Sequence, residues 1–282
     1  MRFGVSTQLY HGQRLSRGHL DEIAANGFDT VEVVATRSHL DYHDPATLDE
    51  FARWLGDARL RLHSIHAPVT NAVTGRRWGV AFSNASPAEE TRRHAVRETL
   101  AALELARRVP VSVLVVHPGL PDSLAGPGNE NHRDAVRRSV EEIGEAADAL
   151  GVRIALENIP SELATPESLV DFIDGDLQRP GVGTCLDFGH AHLAGGVADA
   201  AETMAGLLLA THVHDNHGAR DEHLPPYEGT IAWETALAAL RKVGYDGVFM
   251  LEVAPDGAAT GAVLERIRRA CTRLEDEGRS WS

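Results

Sequence analysis

The sequence predicts a single (β/α)8 barrel of the α/β class, with a metal site at the C-terminal rim of its strands. Three observations carry that fold. Short apolar runs alternate with helical patterns eight times along 282 residues, a length typical of the architecture. The runs are almost continuously apolar, as strands buried on both faces of a parallel sheet must be. A doubly wound open sheet, the competitor, usually carries a Gly-rich phosphate turn after its first strand. Here that position reads STQLYHG, and neither GxGxxG nor GxxxxGK(S/T) occurs in the chain.

The first strand is RFGVS (2–6), followed by a helix over 15–26 that Gly27 closes. TVEVV (30–34) is the second strand. The next helix runs from 45 to about 58, with Asp44 as N-cap and Pro45 in its first turn. LRLHSI (60–65) leads into His66-Ala67-Pro68, and a long loop continues to Ser86-Pro87, which opens a helix reaching 109. VSVLVV (111–116) is wholly apolar and ends at His117. A Gly/Pro/Asn loop precedes a helix over about 133–150 that Gly151 stops. VRIAL (152–156) ends at Glu157, and Thr165-Pro166 starts the fifth helix. VGTCL (182–186) ends at Asp187, a helix covers 199–207, and the strand 208–213 reaches His212. The seventh helix spans 233–243 before Gly244, VFML (248–251) ends at Glu252, and the last helix covers 261–277. No linker, repeat or low-complexity tract divides the chain, so residues 1–282 read as one domain.

The formal charge is −14, with 41 acidic residues against 27 basic ones and Lys242 the only lysine. Such a surface repels phosphate backbones unless its cations are focused, so no nucleic-acid partner is expected. The N-terminus lacks the basic-then-apolar pattern of a signal peptide, and no apolar run approaches the length of a membrane span. Cys185 and Cys271 fit buried thiols in a reducing compartment. The expectation is a cytoplasmic protein without a membrane partner.

Strands three to eight terminate in His66, His117, Glu157, Asp187, His212 and Glu252. At one rim of a closed barrel, these six side chains point toward a common centre. Three carboxylates gathered there are costly without a cation. Oxygen and nitrogen donors without a thiolate set suit Mn²⁺, Mg²⁺, Co²⁺ or Zn²⁺.

The ordered motifs LHSIHAP, VVHPG, LENIPS, CLDFGHAH, HVHD, DEHLPPYEG and MLEV cover nearly the whole chain. Together they resemble the xylose isomerase-like TIM-barrel superfamily, which joins sugar (phosphate) isomerases and epimerases with endonuclease IV-type enzymes (AP endonuclease family 2). The resemblance implies one divalent metal held by Glu157, Asp187, His212 and Glu252. His212 is preferred to His214 because the family pattern places the ligand three residues before an acid, here Asp215. The endonuclease IV-type pattern implies a wider set for three zinc ions, adding His66, His117, His190, Asp221 and His223. In the sugar enzymes His66, His117 and His190 instead become substrate contacts, with Arg220 nearby.

Two departures stand out. Tyr227 replaces the first glycine of the family's GEG, and Leu163 and Gly218 stand where free-ketohexose epimerases carry a substrate-binding Glu and Arg. The implied activity is isomerisation or epimerisation of a sugar, sugar phosphate or related polyol through a metal-stabilised enediolate. Glu157 and Glu252 would move the proton. A lyase or dehydratase on the same scaffold, or a trinuclear zinc phosphodiester hydrolase, are the alternatives. The implied partner is a small carbohydrate-like molecule, and a homodimer is a family-level expectation. The loop 69–85, with Arg76, Arg77 and Trp78, is a candidate lid, and Trp233 and Tyr227 are candidate pocket residues. His11, His39, His43, His63, His94 and His132 lack motif context and read as surface or packing residues.

Overall fold

The structure, a computed structural model, describes residues 1–74, 77–125, 130–177 and 179–279. Its strands are β1 (Arg2–Ser6), β2 (Thr30–Val34), β3 (Arg61–His66) and β4 (Val113–Val116), then β5 (Arg153–Glu157), β6 (Val182–Asp187), β7 (Leu208–Val213) and β8 (Val248–Leu251). All pair in parallel with their sequence neighbours, and β1 closes the barrel on β8 in a register running from Arg2–Val248 to Val5–Leu251. The eight-strand barrel expected from the alternating pattern is the fold observed.

The helices are α1 (Arg17–Ala25), α2 (Pro45–Ala58), α3 (Glu89–Leu103), α4 (Arg133–Ala149) and α5 (Pro166–Asp171), then α6 (Phe188–Ala194), α7 (Val197–Thr203), α8 (Trp233–Lys242) and α9 (Thr260–Arg279). The expected cap of α2 is present, with Asp44 Oδ1 accepting from Ala46 N at 3.1 Å. Three boundaries differ from the sequence reading. Ser86 does not open α3; its Oγ accepts from Ala88 N at 3.3 Å, a local turn that delays the helix to Glu89. After Leu103 the chain tightens into a 3-10 turn over Glu104–Arg107. The helix read over 199–207 is α7, which runs from Val197 to Thr203, and a further helix, α6, precedes it across Gly195 (φ +141°) and Gly196 (φ +153°), angles that side-chain-bearing residues resist. The loop after β3 carries a small hairpin pairing Val73–Thr74 with Arg77–Trp78, while Arg76 lies outside the described residues.

Apolar packing forms two layers. Outward-facing Val31, Ile65, Leu114, Leu156, Leu186, Val213 and Leu251 join Ile23, Phe51, Leu55, Ile143 and Ile267 of the helices in one core. Each fully buried aliphatic side chain there contributes about 1.5–3 kcal/mol. A separate small cluster of Val113, Val115, Ala155, Cys185 and Ala210 fills the barrel interior. Both cysteines are buried and free, and burial pushes the Cys185 and Cys271 thiols up to about 12. Among the described residues no helix is long and apolar enough to cross a membrane.

Candidate metal centre and active site

The interior cluster explains how the sequence builds the site. Side chains two apart on a strand share a face, so each interior position places the next inward group one step nearer the C-terminal mouth. Ser64 leads to His66, Val115 to His117, Ala155 to Glu157, Cys185 to Asp187, Ala210 to His212, and Met250 to Glu252. The lower layer is mostly small or apolar, and the next is made of ligating groups. All six expected strand-end residues are brought together.

Among the described residues five overlapping donor groups result, each with ligand atoms within 4.8 Å of one another, and three of them together take in every expected ligand but His190. The deepest is Glu157, Asp187, His212 and Glu252, all buried. His212 Nδ1 lies 3.3 Å from Glu157 Oε1, 3.4 Å from Glu252 Oε2 and 4.0 Å from Asp187 Oδ2. On one side stand His66, His117 and Glu157, with the His66 and His117 Nε2 atoms 3.3 and 3.2 Å from Glu157 Oε2. On the other stand His214, Asp221 and His223, with His223 Nε2 at 2.9 Å and His190 Nε2 at 3.2 Å from Asp221 Oδ2.

Hydrogen bonds set which nitrogen faces the centre. Nδ1–H of His66 donates to the Ala67 carbonyl at 2.9 Å, that of His190 to the Asn158 carbonyl at 2.9 Å, and that of His223 to the Glu252 carbonyl at 2.8 Å. Each thereby turns Nε2 toward a carboxylate. His212 is the reverse. Its Nε2 meets Glu32 Oε2 at 3.1 Å, leaving Nδ1 toward the donor group. Glu32 is fully buried, and it also accepts from Ser6 Oγ at 3.0 Å and Ser64 Oγ at 2.8 Å. Asp187 serves twice: Oδ1 caps α6 by accepting from His190 N at 2.7 Å, and Oδ2 meets His214 Nε2 at 3.0 Å. Gly189 is required by that packing, because a Cβ there would lie 1.9 Å from His214 Cε1.

The electrostatics fit a cation. Burial alone would pull the His66 pKa down, but Glu157, Glu252 and Glu32 outweigh it and raise it to about 9. His190 and His223 rise to about 10, where burial is overcome by Asp187 and Asp221 for the first and by Asp221 and Glu252 for the second. Burial would raise the Glu157 carboxyl, yet His212 and His117 hold it well below the usual range. Burial lowers His117. Carboxylates that draw protons onto buried imidazoles lack positive charge, and a divalent ion would supply it in the protons' place. Glu157 Oε2, His212 Nδ1 and His214 Nδ1 are buried without any hydrogen bond. Each faces other ligand-capable atoms without donor–acceptor alignment: Glu157 Oε2 the His66 and His117 Nε2 atoms, His212 Nδ1 the Glu157 and Glu252 carboxylates, and His214 Nδ1 the Asp221 carboxylate at 3.9 Å.

A cavity of about 690 Å³ opens above these groups. A second, of about 750 Å³, lies at the opposite end of the barrel beside Arg2, Arg61, His63 and Arg153, away from every donor group.

Some expected residues are placed elsewhere. Arg220 does not reach the cavity: its side chain is 80% exposed and pairs with Glu222 at 3.2 Å, an acid two residues on. Tyr227 turns away from the mouth, its hydroxyl donating to Glu277 at 2.8 Å with Arg273 over its ring, and Trp233 is core, donating Nε1–H to Asp215 at 2.9 Å. The φ of +71° at Tyr227 is a left-handed angle that glycine adopts freely, which accounts for the family glycine at that position. Arg77 and Trp78 do line the cavity. So does His11, read as packing, whose Nε2 lies 2.7 Å from Thr36 Oγ1. Glu32 was missed altogether; its one signal is a lone acid inside TVEVV.

The family model described as xylose isomerase-like TIM barrel matches residues 20–270. The chain belongs to that family. It is 32% identical over 265 residues to the uncharacterized protein MJ1311 of Methanocaldococcus jannaschii, covering 89% of this chain and 83% of the relative. The crystal structure of a D-tagatose 3-epimerase-like protein superposes with a TM-score of 0.79 at 28% identity, over 98% of this chain and 99% of the other. The IolI protein with a binding zinc atom gives a TM-score of 0.78 at 17% identity, over 97% and 98% of the two chains, a likeness of fold.

Proposed function

We propose that this chain is a divalent-metal-dependent isomerase or epimerase of a sugar, sugar phosphate or related polyol. The observation that carries the reading is the buried group of Glu157, Asp187, His212 and Glu252, whose donor atoms lie within 4.8 Å of one another and of which Glu157 and Glu252 line a cavity. The likeness to a D-tagatose 3-epimerase-like protein points to the same class. These four residues would hold the metal, Mn²⁺, Co²⁺, Mg²⁺ or Zn²⁺ by the chemistry of the donors. When bound it would polarise two neighbouring substrate oxygens and stabilise negative charge developing on them.

The chain's own groups then handle protons. Glu157 and Glu252 flank His212 Nδ1, at 3.3 and 3.4 Å, and would stand on either side of a substrate carbon bound above it. One removes the proton next to a carbonyl and the other returns it, on the opposite face for epimerisation. His190, held by Asn158 and Asp187 and lining the cavity, would donate from Nε2 to a substrate oxygen in place of its contact with Asp221. The apolar lower layer keeps bulk water from reaching the floor through the barrel.

The test is solvent exchange. Metal-loaded protein incubated in D2O with a panel of ketoses, aldoses and their phosphates should place deuterium at one carbon next to a carbonyl, seen by NMR. Chelator should abolish the exchange and added metal restore it. No metal-dependent exchange with any member would end the proposal.

A second reading has its own support in the flanking groups His66, His117, Glu157 and His214, Asp221, His223. If all three groups hold metal, a multinuclear phosphodiester hydrolase fits better, as in the endonuclease IV-type branch.

A further inference from the structure

We propose that the substrate carries an apolar appendage, an aryl or alkyl group linked to the sugar, and that the loops after β3 and β4 hold it. The inference rests on the carbohydrate reading above and adds what the rest of the cavity recognises. The cavity of about 690 Å³ lies in the range that encloses ligands well beyond a free monosaccharide. Its chemistry is divided. The floor holds the imidazoles and carboxylates, whereas the wall on the β3–β5 side is made of Val69, Trp78, Pro121, Leu124, Ile159 and Pro160.

The side chains of this wall are mostly apolar, with Arg77 and Ser123 the polar ones among them, so it offers few partners to ring hydroxyls. Each hydroxyl desolvated against it without a hydrogen bond is destabilising, so a second polar ring is disfavoured there. The wall also supplies apolar surface that the fold leaves uncovered. Among the described residues the exposed large hydrophobics are Met1, Trp78 at 47%, Val80 at 62% and Leu124 at 45%, and the last three sit on the two loops at the catalytic mouth. Surface of this kind is stabilised by burial against an apolar group. Arg77 beside Trp78 adds a cation at the rim, suited to an aromatic ring or to its acidic substituent.

The test compares two probes on metal-loaded, full-length protein by titration calorimetry: 4-nitrophenyl β-D-glucopyranoside and methyl β-D-glucopyranoside. The aryl glycoside should bind about tenfold more tightly or better. Trp78→Ala with Leu124→Ala should bring it down to the methyl glycoside's affinity, with metal content per chain unchanged as the folding control. Equal binding of the two probes, or an aryl advantage that survives both substitutions, would overturn the inference. Because this is a binding measurement, it separates from the isomerase reading. An aryl preference without deuterium exchange on any sugar would leave the apolar wall standing and remove the proton-transfer chemistry.

Discussion

The orientation of one imidazole ring decides whether the deepest donor group can act. His212 offers Nδ1 to Glu157 and Glu252 because Glu32 occupies Nε2 at 3.1 Å, and Glu32 is itself held by Ser6 and Ser64. A carboxylate behind a ligating histidine fixes its tautomer and raises its basicity. Glu32→Gln keeps the shape but removes the charge, and it should weaken Mn²⁺ or Zn²⁺ binding by about 10–100-fold in calorimetry. Wild-type affinity in that variant would show that Glu32 is only packing. The residue scale is also where reading the sequence worked unevenly. Glu157, Asp187, His212 and Glu252 were legible because each ends an apolar run. Glu32 was not, since it sits mid-strand and its imidazole partner lies 180 residues away along the chain. Arg220 was misplaced because proximity to the motif said nothing of Glu222, which holds it in solvent.

At the scale of elements, the loop after β7 delivers Asp221 and His223, and Asp215 anchors it. Asp215 Oδ1 accepts from Asn216 N at 2.9 Å and Ile231 N at 3.1 Å, while Oδ2 accepts from Tyr227 N at 3.0 Å and Trp233 Nε1 at 2.9 Å. Asp215→Ala strands these buried donors and should cost about 3 kcal/mol or more in denaturant unfolding. A loss below about 1 kcal/mol would mean that the loop is held by other contacts. The sequence showed Asp215 as a motif acid but not this role, which depends on donors up to 18 residues away. It likewise showed a helix before β7 but not α6, which begins directly after Asp187 and is separated from α7 by the glycines at 195 and 196.

A second tie joins the segment before α2 to α3. Glu98 accepts from the Tyr42 hydroxyl at 2.6 Å and from His43 Nε2 at 2.9 Å. Burial would raise its carboxyl, but these bonds outweigh burial and lower it. A carboxyl depressed in the folded state binds its proton more readily once unfolded. Its contribution is therefore present above the unfolded carboxylate pKa and lost as pH falls through the folded one. Unfolding free energy should thus decline from about pH 5 downward, and less steeply in Glu98→Gln. Parallel pH profiles for the two proteins would contradict that role.

On the scale of the whole molecule, a chain of net charge −14 concentrates buried carboxylates and imidazoles at one end of a closed barrel, beneath a partly apolar mouth. The barrel itself was legible from the alternation of apolar runs and helical patterns, because parallel strands buried on both faces have few other ways to read. The chemistry of the cavity wall was not legible, since it depends on where the described loop residues Val69, Trp78, Pro121 and Leu124 come together at the mouth.

The central claim is that the group at Glu157, Asp187, His212 and Glu252 holds a divalent metal that the chemistry needs. The most direct measurement is metal content per chain, by elemental mass spectrometry, on protein purified without chelators, alongside Asp187→Asn. The account predicts about one divalent metal per chain in the wild type and its loss in the variant. Absence of metal from a folded wild-type chain that also fails to take it up on dialysis would contradict the claim. A value close to three zinc ions per chain would contradict the isomerase assignment and move the function to phosphodiester hydrolysis.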